Sequence, residues 1–429
     1  MGFVTSWKHI ATHAKQHLCP LDIGWEPLMR VLIVSREYPP EVEGGISRRL
    51  SNLVPGLIEK GVDVDVVSFG GSSLSSETVY SLEARSKILY TRSGEPSVGD
   101  AASVLLDIRR LDRYSSRILS LGRHDLVQVE EPVFGPFIAT RVPMIVTAHT
   151  TQLGEFNALR SVLKSARQLK RLAFSGTVGF AFDRLCLRVA DVVVAVGPTI
   201  KNELQRFYGV PQEKVVVIPN GAEVQQKLNK TKAKQKRGID NVLFVYAGRL
   251  VDRKRVDDFL MALYTLRREG FRDFSALVVG AGPVEAPLGN LSLRLGLADC
   301  VKFTGRVDDL TFRAILEAAD VFVLPSCYEG NPISVMEAMA FGCIPVVADI
   351  PQMHGIVRGG ENGFTNPVGK PKALASALRK VASDREMRAS MSRKIRKGVA
   401  SYSWSAVVSG YLRIYEALLE GSAESRRRL

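Results

Sequence analysis

Short runs of valine, isoleucine and leucine, bounded by glycine, proline or charge, alternate along this chain with longer segments whose apolar residues recur every three or four positions. The first pattern predicts strands buried on both faces and the second amphipathic helices, so their alternation predicts parallel sheets joined by helical crossovers. In the first half the strand-like runs fall at 31–35, 62–68, 126–129, 144–148, 192–196 and 215–218; a second series follows at 242–247, 275–279, 301–304, 321–324 and 344–348. The expected fold is α/β, two doubly wound Rossmann-like domains facing each other across a cleft. Ligands of such sheets lie beyond the carboxyl ends of the strands.

The polar stretches set the expected boundaries. Residues 227–238 carry six basic residues, no acidic ones and almost no large apolar ones, which reads as an exposed interdomain linker. This divides the chain into an N-terminal extension (1–29), a first domain (30–222), the basic linker (223–240), a second domain (241–404) and a tail (421–429). A last helix at 405–420, with Val408, Tyr411, Leu412, Tyr415 and Leu418 at helical spacing, is expected to serve the first domain. The terminal Glu-Ser-Arg-Arg-Arg-Leu reads as a frayed end.

Composition narrows the class. A chain of 429 residues exceeds one ordinary core, and a 46% apolar share suits a globular protein. Five scattered cysteines, Cys19, Cys186, Cys300, Cys327 and Cys343, form no paired spacing and predict reduced thiols in a cytoplasmic setting. The apolar runs are shorter than a membrane span, so any membrane contact is expected to be peripheral. His9, His13 and His17 repeat every four residues near Cys19, a metal-like spacing whose plainer reading is a solvated helix face. No metal site is expected.

The segment SCYEGNPISVMEAMAFGCIPVV holds the candidate chemistry. Glu329 precedes a Gly330-Asn331-Pro332 turn, and Glu337 lies within the helix that Ile333 begins. Asn331 can cap that helix and Pro332 suits its first turn, so free N–H groups and the positive helix end invite a phosphate. A carboxylate before the turn can accept hydrogen bonds from sugar hydroxyls, and one inside the helix can hold a ribose diol. Together these spell a nucleotide-sugar. Elsewhere, Tyr38-Pro39-Pro40 leads to Gly44-Gly45, His149 follows an apolar run in VTAHTT, and Arg249 and Lys254 sit in AGRLVDRK after another. Gly-Ala-Gly-Pro at 280–283 lacks the third glycine of a dinucleotide fingerprint and reads as a tight turn, so no NAD is implied.

These motifs, in this order and spanning about residues 30–420, resemble glycosyltransferase family 4, retaining enzymes of the GT-B fold. The resemblance implies a retaining transfer of a hexosyl group from a UDP- or GDP-sugar to a glycan or lipid-linked acceptor, in cell-surface polysaccharide, glycolipid or glycoprotein synthesis, without a cofactor. Arg249 and Lys254 match the family's diphosphate contacts. Gly44 and Gly45 would bring backbone to the diphosphate from the opposite domain, and His149 matches a histidine between sugar and acceptor. Glu329 would hold the transferred sugar and Glu337 the ribose, with Gly330, Asn331, Pro332 and Ile333 lining the donor. Retention is commonly attributed to front-face attack, so no protein nucleophile is assigned. Two departures stand out: Arg255 replaces a frequent glycine, and Gly355, beside His354, replaces a glutamate of the sugar or acceptor loop.

A net charge of +14 exceeds what an anionic donor explains. Arg160, Lys164, Arg167, Lys170 and Arg171 share a predicted helix over 159–173 with several apolar residues, which suits an anionic membrane surface as well as an ordinary solvated face. Nucleic-acid binding fits poorly, because aromatic residues are absent among the linker cations. A nucleotide-sugar epimerase or phosphorylase on the same scaffold is the alternative enzyme.

Overall fold

The computed structural model describes residues 29–39, 44–70, 78–82, 86–92, 101–160, 166–223, 229–399 and 402–427. The extension at 1–28, with its three histidines and Cys19, lies outside the described residues. Met29, assigned above to that extension, instead opens the first strand and pairs with Val62.

The first sheet has eight strands: β1 (Met29–Ser35), β2 (Val62–Gly70), β3 (Thr78–Leu82), β4 (Ser86–Arg92), β5 (Leu126–Glu130), β6 (Met144–Ala148), β7 (Val192–Ala195) and β8 (Val215–Val217), in the order β3-β4-β2-β1-β5-β6-β7-β8. All neighbours are parallel except β3 and β4. Val31, Leu32, Ile33 and Val34 are all fully buried, so β1 is covered on both faces and shows an unbroken apolar run. Helices α1 (Gly45–Glu59), α2 (Ala101–Leu119), α3 (Gln152–Arg160), α4 (Ala166–Phe174), α5 (Phe180–Val189) and α6 (Pro198–Tyr208) accompany this sheet. The strand order reverses between β1 and β5, and the carboxyl ends of those two strands therefore frame a ligand crevice.

Residues 230–235 form a short helix, α7 (Lys230–Gln235), capped by Asn229, whose side chain accepts from Lys232 N at 3.0 Å. Asn229, Lys232, Lys236 and Arg237 are exposed, as expected of a linker, but two of its lysines are anchored. Lys234 donates to the carbonyl of Asn241 at 2.8 Å and pairs with Asp320, and Lys230 donates to the Ala319 carbonyl, so these two lysines tie the segment to the second domain.

The second sheet contains β9 (Val242–Ala247), β10 (Phe274–Val279), β11 (Val301–Gly305), β12 (Val321–Leu324), β13 (Ile344–Ala348) and β14 (Phe364–Asn366), ordered β11-β10-β9-β12-β13-β14. Around it lie α8 (Val256–Arg268), α9 (Glu285–Arg294), α10 (Asp309–Ala318), α11 (Ile333–Ala340), α12 (Pro371–Ser383) and α13 (Arg385–Val399). The chain then returns to the first domain as α14 (Trp404–Arg427), which packs on α1 and buries Val407, Val408, Tyr411, Ile414 and Tyr415 in the core beneath β1. The helix runs through 421–427, where a frayed end was expected. No helix among the described residues is long and apolar enough to cross a membrane.

Candidate active site

The carboxyl ends of both sheets face one cleft, and the second domain supplies its most heavily charged wall. Glu329, buried in the loop after β12, receives Lys254 Nζ at 2.5 Å on one oxygen, while Arg253 Nη1 stands 3.7 Å from the other. Burial opposes ionisation of this carboxyl, but Lys254 and Arg253 outweigh it and hold the group below its ordinary value. Burial also lowers the Lys254 ammonium, despite Glu329. Arg253 is further fixed by donating to the Tyr328 carbonyl at 2.8 Å. Neighbouring Arg255 adopts a left-handed conformation, φ 52° and ψ 43°, which accounts for glycine at the matching position elsewhere. Its guanidinium is buried in a bidentate pair with Asp258, at 2.5 and 2.8 Å, so the loop keeps its course without glycine.

Asn331 does not cap α11. Its Oδ1 accepts from Asn220 N at 3.0 Å and its carbonyl accepts from Asn220 Nδ2 at 2.7 Å, tying the turn to the end of the first domain. Pro332 occupies the cap position and no side chain caps the helix; Val335 N–H already donates to the Pro332 carbonyl at 3.2 Å, so the N–H groups of Ile333 and Ser334 are the ones left without an intrahelical acceptor. Glu337 neither caps nor pairs within α11. It accepts from Arg48 Nε, on α1 of the other domain, at 2.7 Å, and Arg48 also pairs with Asp309 at the start of α10. Burial raises the Glu337 carboxyl, with Arg48 opposing. A cavity of about 120 Å³ beside this cluster is lined by Arg48, Asn52, Asp309, Phe312, Arg313 and Glu337 among others. Arg249, just beyond β9, is half-exposed in the cleft with Nη1 at 3.6 Å from Glu37 of the first domain. The Gly280–Pro283 turn lies alongside, its Ala281 carbonyl accepting from Leu250 N at 2.9 Å.

The first domain contributes the opposite wall. Gly44 precedes α1, which no side chain caps and whose first turn has no acidic residue, leaving its positive end open to an anion. A Cβ added at Gly44 would overlap the carboxylate of buried Glu37 and would have to displace it, whereas Gly45 faces open space. Glu37 is held below its ordinary value because Arg36 and Arg249 outweigh the effect of burial. His149, at the end of β6, places Nε2 2.5 Å from Glu130 Oε2. Glu130 is fully buried yet stays below its ordinary value through His149 and Arg49. Arg49, also fully buried, donates to Tyr411 of α14 at 2.8 Å and to Asn220, and Tyr411 shares a 2.8 Å hydrogen bond with Thr147. Glu131, next along, has φ 83°, a strained value for a non-glycine residue, and burial raises its carboxyl. A Cβ at Gly330 would overlap the His149 carbonyl, so the two walls touch at these residues.

Every donor and catalytic residue expected from the sequence thus lies on this cleft or on the two turns that shape it. Glu37, Arg48, Arg49, Glu130, Glu131 and Arg253 were not anticipated. The pair Glu130-Glu131 at the end of an apolar run was a visible signal, and so was Arg253 beside Lys254. Arg48 and Arg49 gave none, because their partners are far away in sequence. Gly355 lies in the turn after Met353, and the Tyr402 hydroxyl donates to its carbonyl at 3.2 Å. His354 pairs instead with exposed Asp349 at 2.8 Å.

Two family models cover most of the chain: Glycosyltransferase Family 4 over residues 43–226 and Glycosyl transferases group 1 over 229–398. The chain belongs to glycosyltransferase family 4. This family 4 member is 27% identical over 419 residues to the glycogen synthase of Mycobacterium tuberculosis, a match covering 94% of this chain and 98% of that one. Among solved structures it superposes on the sucrose-phosphate synthase of Thermosynechococcus elongatus with a TM-score of 0.76 at 18% identity, covering 92% of this chain and 100% of the other. It also superposes on Alr3699/HepE of Anabaena, solved in complex with UDP and glucose, with a TM-score of 0.66 at 19% identity over 91% and 100% of the two chains. The architecture is GT-B and the chain is a glycosyltransferase.

Proposed function

We propose that this glycosyltransferase moves a hexosyl group, with retention, from a UDP- or GDP-sugar to a glycan or lipid-linked acceptor in the cytoplasm, and that it does so without a metal ion. The observation that carries this reading is the set formed by Lys254, Arg249, Glu329, Glu337 and the uncapped start of α11 on one wall of the cleft. A diphosphate leaving group builds negative charge, and fixed cations and N–H donors in a water-poor cleft stabilise it. Arg249 and Lys254 would supply the cations, and the N–H groups at Ile333 and at the Gly44-Gly45 turn would supply the donors. The ribose diol would take the place of Arg48 on Glu337, and hydroxyls of the transferred sugar would hydrogen-bond to Glu329. His149, oriented by Glu130, would stand between sugar and acceptor. Attack from the leaving-group side lets a phosphate oxygen accept the acceptor's proton, so no covalent step on the protein is invoked.

The reading is tested by incubating purified protein with a donor that raises its melting temperature, EDTA and a panel of glycan acceptors, then recording the anomeric coupling of any product by NMR. Formation of a glycoside with the donor's anomeric configuration supports the proposal, and an inverted product refutes retention. Conversion of the donor to another nucleotide-sugar with acceptor absent would instead mark an epimerase.

A further inference from the structure

Part of the positive charge that the donor leaves unexplained lies on one side of the first domain. On α2 the exposed side chains Leu106, Arg109, Arg110, Arg113 and Arg117 follow one another at intervals of one to four residues. At 3.6 residues per turn they occupy an arc of about 100°. The opposite side of the helix carries Ile108, Leu111 and Ser115, all fully buried. Helix α5 presents Arg184, Leu185, Arg188 and Val189 to solvent in the same fashion. The two helices meet through the loop after β5. Phe137 N donates to Asp112 of α2 at 2.8 Å, its ring meets Phe182 of α5 edge-on at 5.2 Å, and Arg109 lies over it at 5.8 Å.

The acidic residues of these helices do not neutralise the face. Asp107, Asp112 and Asp183 are 8%, 0% and 1% exposed, and among the described residues the ion pair of these helices that reaches the surface, Asp107 with Arg110, is 3.9 Å long. Large apolar side chains stand exposed among the arginines: Leu106 at 55%, Phe137 at 42%, Leu185 at 46% and Val189 at 60%. Single exposed apolar side chains are ordinary on a solvated surface, but here four stand together among unneutralised arginines. The stretch at 159–173 is a weaker candidate. Residues 161–165 lie outside the described residues, and Arg171 turns inward to Glu155, at 2.8 and 3.1 Å.

We propose that the surface formed by α2, Phe137 and α5 docks on an anionic lipid bilayer. The arginines meet the lipid phosphates while Leu106, Phe137, Leu185 and Val189 enter the headgroup boundary. The mixture of cations with exposed aliphatic side chains favours a bilayer over nucleic acid, for which a row of exposed aromatic platforms is expected, whereas here Phe137 stands among aliphatic Leu106, Leu185 and Val189. The proposal depends on the charge and exposure of this face and not on donor chemistry.

The test is co-sedimentation of the full chain with vesicles of phosphatidylcholine alone or with about a third phosphatidylglycerol, across a salt series. Binding is expected only to the anionic vesicles. The variant Arg109→Glu/Arg110→Glu/Arg113→Glu/Arg188→Glu should bind about a hundredfold more weakly or less. The same number of reversals at exposed Lys372, Arg385, Arg393 and Lys394 of the other domain should weaken binding far less. Leu185→Ser/Val189→Ser should lose the fraction that resists high salt. All variants should keep their melting temperature and donor hydrolysis, since none touches the cleft. Equal binding to neutral vesicles, equal loss in the two reversal sets, or displacement of the protein from vesicles by single-stranded RNA at matched phosphate would overturn the proposal.

Discussion

Glu329→Gln keeps the shape of the side chain and removes its charge, so it isolates what the carboxylate does. In the parent, Lys254 sits 2.5 Å from one oxygen and Arg253 3.7 Å from the other, and all three groups are largely screened from water. Removing one member of a buried ion pair costs about 3–5 kcal/mol. The glutamine oxygen can still accept from Lys254, which places the expected loss near the lower end, about 3 kcal/mol. For a domain of this size that is a fall of about 6–12 °C in melting temperature. The gap should depend on pH with a definite sign. The Glu329 carboxyl lies below its ordinary value of 4.5 when folded, so its stabilisation is complete above that pH and disappears as the pH falls through the folded value. Parent and variant should therefore converge in acid. Transfer should suffer separately: losing a hydroxyl partner that acts at the reacting sugar should lower kcat by about 10²–10³, while affinity for the free nucleoside diphosphate, measured by calorimetry, changes little. A variant as stable as the parent at neutral pH, or one with unaltered kcat, refutes the role given to Glu329.

Three further outcomes follow from the same geometry. Arg255→Gly relieves a left-handed strain of about 1 kcal/mol but leaves Asp258 buried without its partner, so a net loss of about 2 kcal/mol is expected by thermal melting, with Arg255→Gly/Asp258→Asn recovering most of it. Gly330→Ala places a methyl group against the His149 carbonyl, and should abolish transfer while each domain retains its fold, read by activity beside circular dichroism and small-angle scattering. Burial raises Asp183 to about 7 from 3.8, so the folded state binds the extra proton and stability falls as pH rises between those values; Asp183→Asn should melt higher at pH 8 and flatten that slope.

The fold was legible wherever a strand is covered on both faces. β1, β9, β12 and β13 announce themselves as apolar runs because helices cover both sides of the sheet, and β5 and β6 do so with one or two polar residues among their buried positions. β3, at the sheet edge, and β4, next to it, were missed because Thr-Val-Tyr-Ser-Leu and Ser-Lys-Ile-Leu-Tyr-Thr-Arg mix polar and apolar positions. β14, with only three residues, offers no pattern. At the site, residues whose chemistry is set by a local turn were readable: Gly44, Glu329 and the Pro332 turn. Asn331 was misread as a helix cap because its true partner, Asn220, is 111 residues away. Arg48 on Glu337 and Arg49 beneath Tyr411 are likewise products of distant segments brought together, and one-dimensional spacing carries no trace of them.

The central claim, that the charged cleft receives a nucleotide-sugar, is tested most directly by the melting temperature of the purified chain against UDP-, GDP- and ADP-sugars in EDTA, since a ligand that binds only the folded state raises it by mass action. The account predicts a rise that is selective for one base, persists without metal and is lost in Lys254→Ala. A folded protein whose melting temperature moves with none of these donors would contradict it.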